Sequence, residues 1–162
     1  NRPVLANDVA QRIMYDNLVA VGGVEYTREE KVFADQIHET LRNPNLEVSS
    51  ASAVQPYKFT RGKGSTDVGD VSWMVPTAGL RIATWVPGTS AHTWQAVAAG
   101  GMSIGMKGMM NAAKTIAGTA VDLYNNPEAV KNAKKELIER RGQTFNYYSL
   151  LGDREPPLDY RK

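Results

Sequence analysis

The sequence predicts an α/β protein in which helices pack on a short sheet. Amphipathic stretches with helix start and stop signals fill most of the chain. One run, residues 80–86 (LRIATWV), has the β-branched and aromatic content of a buried strand. The segment after it is rich in Gly and Ala, which makes it slim enough to lie flat against a sheet.

Residues 4–21 read as a first helix, because Val9, Ile13, Met14, Leu18, Val19 and Val21 recur at near-helical spacing. Gly22-Gly23 ends it, since glycine tolerates the left-handed conformation of a helix cap. A second helix starts at Thr27, where Thr27 and Glu30 have the spacing of a capping box. Val32, Phe33, Ile37 and Leu41 mark its buried stripe, and Asn43-Pro44-Asn45 stops it. His38 lies among Asp35, Glu39 and Arg42, which reads as a surface histidine on a charged face rather than a ligand.

Residues 47–63 are small and polar and read as a long loop, with a short strand near residues 54–59. The strand at 80–86 is bounded by Pro76 and Gly79 before it and Pro87-Gly88 after it. A single strand cannot satisfy its own backbone. Its sheet is expected to draw other strands from residues 46–75 or from polypeptide outside this sequence.

The longest helix is expected from Met102 or Ser103 to Tyr124, with Met109, Ala113, Ile116, Ala117, Ala120, Val121 and Tyr124 on its buried face. Gly105, Gly108, Ala112 and Gly118 keep it slim. Each helical glycine costs about 1 kcal/mol relative to alanine, so close approach of another backbone is expected. Met102, Met106, Met109 and Met110 read as core filler. Asn126-Pro127-Glu128 starts a last helix that runs to about Arg141 and stops at Gly142. Tyr147, Tyr148, Leu150 and Leu151 are expected to dock on the body.

Composition narrows the function classes. With 19 basic against 17 acidic residues the net charge is +2, and glutamates interrupt the basic pairs. That excludes the clustered charge of a nucleic-acid footprint. Cysteine is absent, which excludes disulfides, thiolate metal sites and thiol nucleophiles. No apolar run approaches the ~18 residues of a membrane span. The first residue is not Met, so the sequence is expected to begin inside a longer gene product.

The chemistry concentrates in Gly64–Met110. Asp67 and Asp70 sit at i, i+3 in a Gly/Ser/Thr turn, and His92 closes the loop Pro87-Gly88-Thr89-Ser90-Ala91. Carboxylate and imidazole suit zinc or manganese, and also general acid–base work. One histidine and two aspartates are too few for a closed metal site. No HExxH, GxSxG, Walker A or GxGxxG pattern is present. Chemistry alone leaves His92 between metal ligand and loop residue, and the aspartates between site and turn formation.

The strings GSTDVGDVSWMVPT and PGTSAHTWQAVA…SIGMKGMMNAAKTIAGTAVDL resemble the aminobenzoyl-glutamate-utilizing branch of the aminoacylase and carboxypeptidase-type metallopeptidase family. The resemblance runs over nearly the whole chain and is most specific from Gly64 to Leu123. It implies that residues 1–162 are the C-terminal, post-lid part of a zinc-exopeptidase-like catalytic domain, with the dimerising lid absent. It implies two divalent ions, zinc or manganese, that activate water to cleave an N-acyl or aryl amino-acid amide such as p-aminobenzoyl-glutamate.

Carried over residue by residue, the resemblance makes His92 the last metal ligand. It makes Ser65, Thr66 and Asp67 a substrate-side turn and places Trp94 in the substrate pocket. Asp70 and Trp73 belong to the same signature without an assigned role, and an aryl preference is expected from Trp73 and Trp94. The general-base glutamate and the remaining ligands are expected upstream, so no catalytic residue lies in this chain, which alone should be inactive. Met106 departs from relatives that carry histidine there, and methionine is a poor ligand for a hard metal. The implied partners are the missing N-terminal part, a small amide or dipeptide-like substrate, and a further protomer in a homodimer or heteromer. The implied location is cytoplasmic, with no nucleic acid and no membrane. The alternative is a non-catalytic helical interaction module that keeps the fold without the chemistry.

Overall fold

A computed structural model describes residues 2–60, 62, 64 and 66–159. Among these residues there are six α-helices: α1 Asp8–Val21, α2 Arg28–Glu39, α3 Val68–Ser72, α4 Trp94–Gly100, α5 Ser103–Asn125 and α6 Pro127–Arg141. A 3-10 turn spans Val48–Ser52. α1 packs along α5 and against α6, α4 turns onto α5, and α2 packs on the 3-10 turn.

The local signals place the helix ends. Asn7 caps α1, its side chain accepting from the Ala10 amide at 3.0 Å. Thr27 and Glu30 form both halves of the capping box of α2. Asn126 caps α6 with Pro127 behind it, and Gly22 and Gly142 end α1 and α6 at φ 83° and 86°. Long-range bonds then fix α1 on α6. Buried Asn7 donates to the Ala133 carbonyl at 2.8 Å, and the Glu136 carboxylate accepts from the Asp8 and Val9 amides. A carboxylate at free N-terminal amides is a favourable cap.

The expected sheet is absent. Among the described residues there is no strand, so the fold is all-helical rather than helices on a short sheet. Neither 80–86 nor 54–59 finds a ladder, and β-branched content without a partner strand does not make one. Residues 80–86 instead cross α5 without regular structure, bending at residues 84–85. A Cβ on Gly108 would stand 2.5 Å from the Ala83 carbonyl oxygen and 2.9 Å from Thr84 Cγ2. The close backbone approach expected of this helix is therefore real, and its occupant is an unpaired segment. Val86, at its end, enters the core with Ala34, Ile37, Val48, Ala99 and Ile104.

α5 is also turned the other way from expectation. Its buried side holds Ile104, Gly105, Gly108, Thr115 and Thr119. Thr115 and Thr119 satisfy their hydroxyls on the carbonyls four residues back, at 2.8 and 2.7 Å. Met109, Ala113, Ile116, Ala117, Ala120, Val121 and Tyr124, expected inside, are exposed. Met102, Met106 and Met110 are exposed as well, at about half of full accessibility. Gly105 and Gly108 let neighbouring backbones close in, so the side that carries them turns inward and the face of Met109, Ile116 and Tyr124 is left outside. Leu150 and Leu151 also remain exposed, while Tyr147 and Tyr148 receive the Arg2 guanidinium at 5.9 and 4.9 Å.

One polar contact ties α5 to α2. Lys107 Nζ meets Glu30 Oε2 at 2.5 Å and the Glu25 carbonyl at 2.9 Å. Burial alone would raise the Glu30 pKa. Hydrogen bonds from Lys107, Ser103 and the Thr27 amide, with the Lys107 charge, outweigh it and hold the carboxyl at about 2 against an ordinary 4.5. A lowered pKa gives stability that is fully present above about 4.5 and lost as pH falls through about 2. Lys107→Met is expected to cost roughly 1–3 kcal/mol at pH 7, and that cost should shrink in acid. Urea unfolding of both proteins from pH 7 to pH 2 checks it, and parallel profiles would contradict the ion pair's role.

Candidate functional site

The signature residues fall on two separate pieces of the fold. The first is the turn entering α3. Ser65 lies outside the described residues. Thr66 is exposed, and its hydroxyl accepts from the Val68 amide at 3.2 Å. Asp67 occupies the cap position of α3 without a side-chain cap bond, so its exposed carboxylate is not used in forming the turn. Asp70 faces inward, with Oδ1 4.0 Å from Arg2 Nε and no hydrogen bond. Trp73 donates from Nε1 to the Pro3 carbonyl at 2.8 Å and packs on Phe145 with ring centres 5.1 Å apart. Trp73 thus joins the segments at Pro3 and Phe145, and its indole belongs to a structural cluster.

The second piece is the loop from Pro87 to Thr93, which delivers α4. It follows the segment pinned on α5 and turns at Gly88, φ 87°. His92 is exposed and holds φ 61°, a left-handed conformation that only glycine adopts freely. Non-glycine residues in such strain cluster at functional sites. Its ring makes no hydrogen bond among the described residues. Thr93 then caps α4, accepting from the Ala96 amide at 3.3 Å.

Trp94, 59% exposed, opens α4 beside an open cleft of about 410 Å³. Thr40, Leu41, Arg42, Gly88, Ser90, Thr93 and Gln95 complete its lining. Gln95 Nε2 donates to the Thr40 hydroxyl and carbonyl at 3.2 and 3.4 Å, which ties the loop to the end of α2. Arg42 has no carboxylate partner among the described residues. Its guanidinium and the Trp94 indole give the cleft the means to take an anionic or aryl group. Arg42 and Gln95 carry no signal in the sequence, because nothing local shows that residue 42 comes to rest beside residue 95.

Neither Thr66 nor Asp67 lines this cleft, and no hydrogen bond or ion pair among the described residues joins them to His92 or Trp94. His38, the other histidine, donates Nε2–H to the Leu46 carbonyl at 2.8 Å, the surface role expected of it. No three His, Asp or Glu side chains are grouped to hold an ion among the described residues. No helix among them is long and apolar enough to cross a membrane.

Comparison with known proteins gives one relation of weight. The chain is 34% identical over 157 residues to one of the subunits of p-aminobenzoyl-glutamate hydrolase from Escherichia coli. The match covers 82% of this chain and 33% of the relative, so the chain spans about a third of that protein's length. No family model matches the chain, and no solved structure does.

Proposed function

Because the chain belongs to the family of this p-aminobenzoyl-glutamate hydrolase component, we propose that it is the C-terminal, post-lid part of the catalytic domain of a metal-dependent amidohydrolase. The substrate class is an N-acyl or aryl amino-acid amide such as p-aminobenzoyl-glutamate. The observation that carries the reading is the relation to a hydrolase over 82% of the chain. The relative is named as one subunit of that hydrolase, which supports a heteromeric partner as well.

In this reading His92 is one metal ligand and the others come from polypeptide outside residues 1–162. Its exposed, unbonded ring supports that role. The divalent ions, zinc or manganese, would supply the activated water. This chain's own share is to present the imidazole on the Pro87–Thr93 loop and to seat substrate in the cleft that other residues of that loop line. Trp94 offers a face for an aryl group and Arg42 a partner for a carboxylate. Thr66 and Asp67, with Ser65, form the substrate-side turn.

The test is release of p-aminobenzoate from p-aminobenzoyl-glutamate by the complete protein supplied with zinc or manganese. Turnover is expected there and none from the 162-residue chain alone. Absence of turnover and of bound divalent metal in the complete protein would sink the reading. That outcome would favour the non-catalytic interaction module, which the exposed face of α5 supports.

A further inference from the structure

α5 is apolar on much of its exposed side as well as on its buried one. Its inner side, with Ile104, Gly108 and Thr115, is buried, while Met106, Met109, Ile116 and Tyr124 line an outer face 49%, 54%, 52% and 88% exposed. A surface helix keeps one apolar stripe and turns charge outward, whereas a helix apolar on both sides belongs inside a core. The face extends along a helix of about 35 Å. Beyond its N-terminal end, Met102 and Val97 of α4 are also exposed, at 48% and 78%. An exposed apolar face of this length marks an interaction surface.

We propose that this face is the seat of the rest of the same longer protein, an apolar layer of polypeptide corresponding to the two thirds of the relative that this chain does not span. The inference rests on the reading of the chain as part of a longer hydrolase. Two features choose this occupant over a second copy. The relative supplies twice as much polypeptide again beyond the matched third. Lys114 also edges the face, so an antiparallel pairing of two copies about its middle would set lysine against lysine. α4 packs on α5 and opens at Trp94. The covering layer would therefore arrive beside the His92 loop, where the missing donors are needed.

Methionine oxidation reads the surface directly. Met74, 50% exposed and just after α3, is the internal control. In the 162-residue chain, Met102, Met106, Met109 and Met110 should oxidise with peroxide at the rate of Met74. In the complete protein they should oxidise at least about tenfold more slowly while Met74 is unchanged. Ile116→Lys should leave the helicity of the 162-residue chain intact and lower the folded yield of the complete protein. Oxidation of all four at the Met74 rate in the complete protein overturns the proposal. So does a 162-residue chain that sediments as a dimer with these methionines protected, since the occupant is then a second copy. Because no readout is activity, protection without hydrolysis keeps this inference and removes the functional reading.

Discussion

His92→Gly in the complete protein is expected to do two opposite things. Hydrolysis of p-aminobenzoyl-glutamate should fall by about a hundredfold or more, since loss of a direct ligand should exceed the ~10–100-fold typical of groups one shell further out. Set against that loss, and against the stability that goes with the metal, glycine relieves the left-handed backbone at φ 61° by about 1 kcal/mol. His92→Ala separates the two effects. It removes the same imidazole but keeps a Cβ in the strained conformation, so activity falls equally without the gain in stability. Metal analysis and thermal unfolding of the three proteins read both. The glycine variant should melt about 2–4 °C above the alanine variant. Unchanged activity and metal content in both variants would make His92 an ordinary loop residue.

The strain at His92 also shows where sequence reasoning reaches and where it stops. Imidazole chemistry on a Pro-Gly-Thr-Ser loop is visible in the residue types. That His92 rather than a neighbour takes the left-handed turn is not, because it depends on how Gly88 and the cap at Thr93 set the chain direction on either side. Helix ends are legible because caps are local. Thr27 with Glu30, Asn126 with Pro127, and glycines 22 and 142 each need only a few residues of context. The cleft is not legible, since Arg42 and Gln95 meet through a long-range chain reversal sealed by the Gln95–Thr40 bonds.

The sheet and the orientation of α5 mislead a sequence reading for a shared reason. Apolar content predicts burial against something, and residues 80–86 and α5 are apolar enough to expect it on every side. Which side meets which neighbour is decided by volume. Gly105 and Gly108 admit backbone, from Gly100 and Ala83, and the larger side chains cannot. The glycines that slim the helix also define its contact face.

Gly108 offers the sharpest test of that volume rule. On an open helix face, replacing glycine with alanine stabilises by about 1 kcal/mol. Here the added Cβ would lie 2.5 Å from the Ala83 oxygen and 3.0 Å from its carbonyl carbon. A flexible side-chain tip can swing away from such a contact, but a backbone carbonyl moves only with its segment. Overpacking typically costs about 1–3 kcal/mol, so the sign of the usual substitution reverses. Gly108→Ala is expected to destabilise by about 1–2 kcal/mol, and Gly108→Leu by about 3 kcal/mol or enough to prevent folding. Ala117→Gly, on the exposed side of the same helix, calibrates propensity alone and should cost about 1 kcal/mol. Denaturant unfolding of the three variants decides the matter. A neutral or stabilised Gly108→Ala would mean that residues 80–86 do not rest on α5. If they do, the damage extends beyond stability. The segment pushed off Gly108 leads directly into Pro87–Thr93, so His92 and Trp94 lose their footing with it, and the complete protein should lose activity at temperatures where it is still folded.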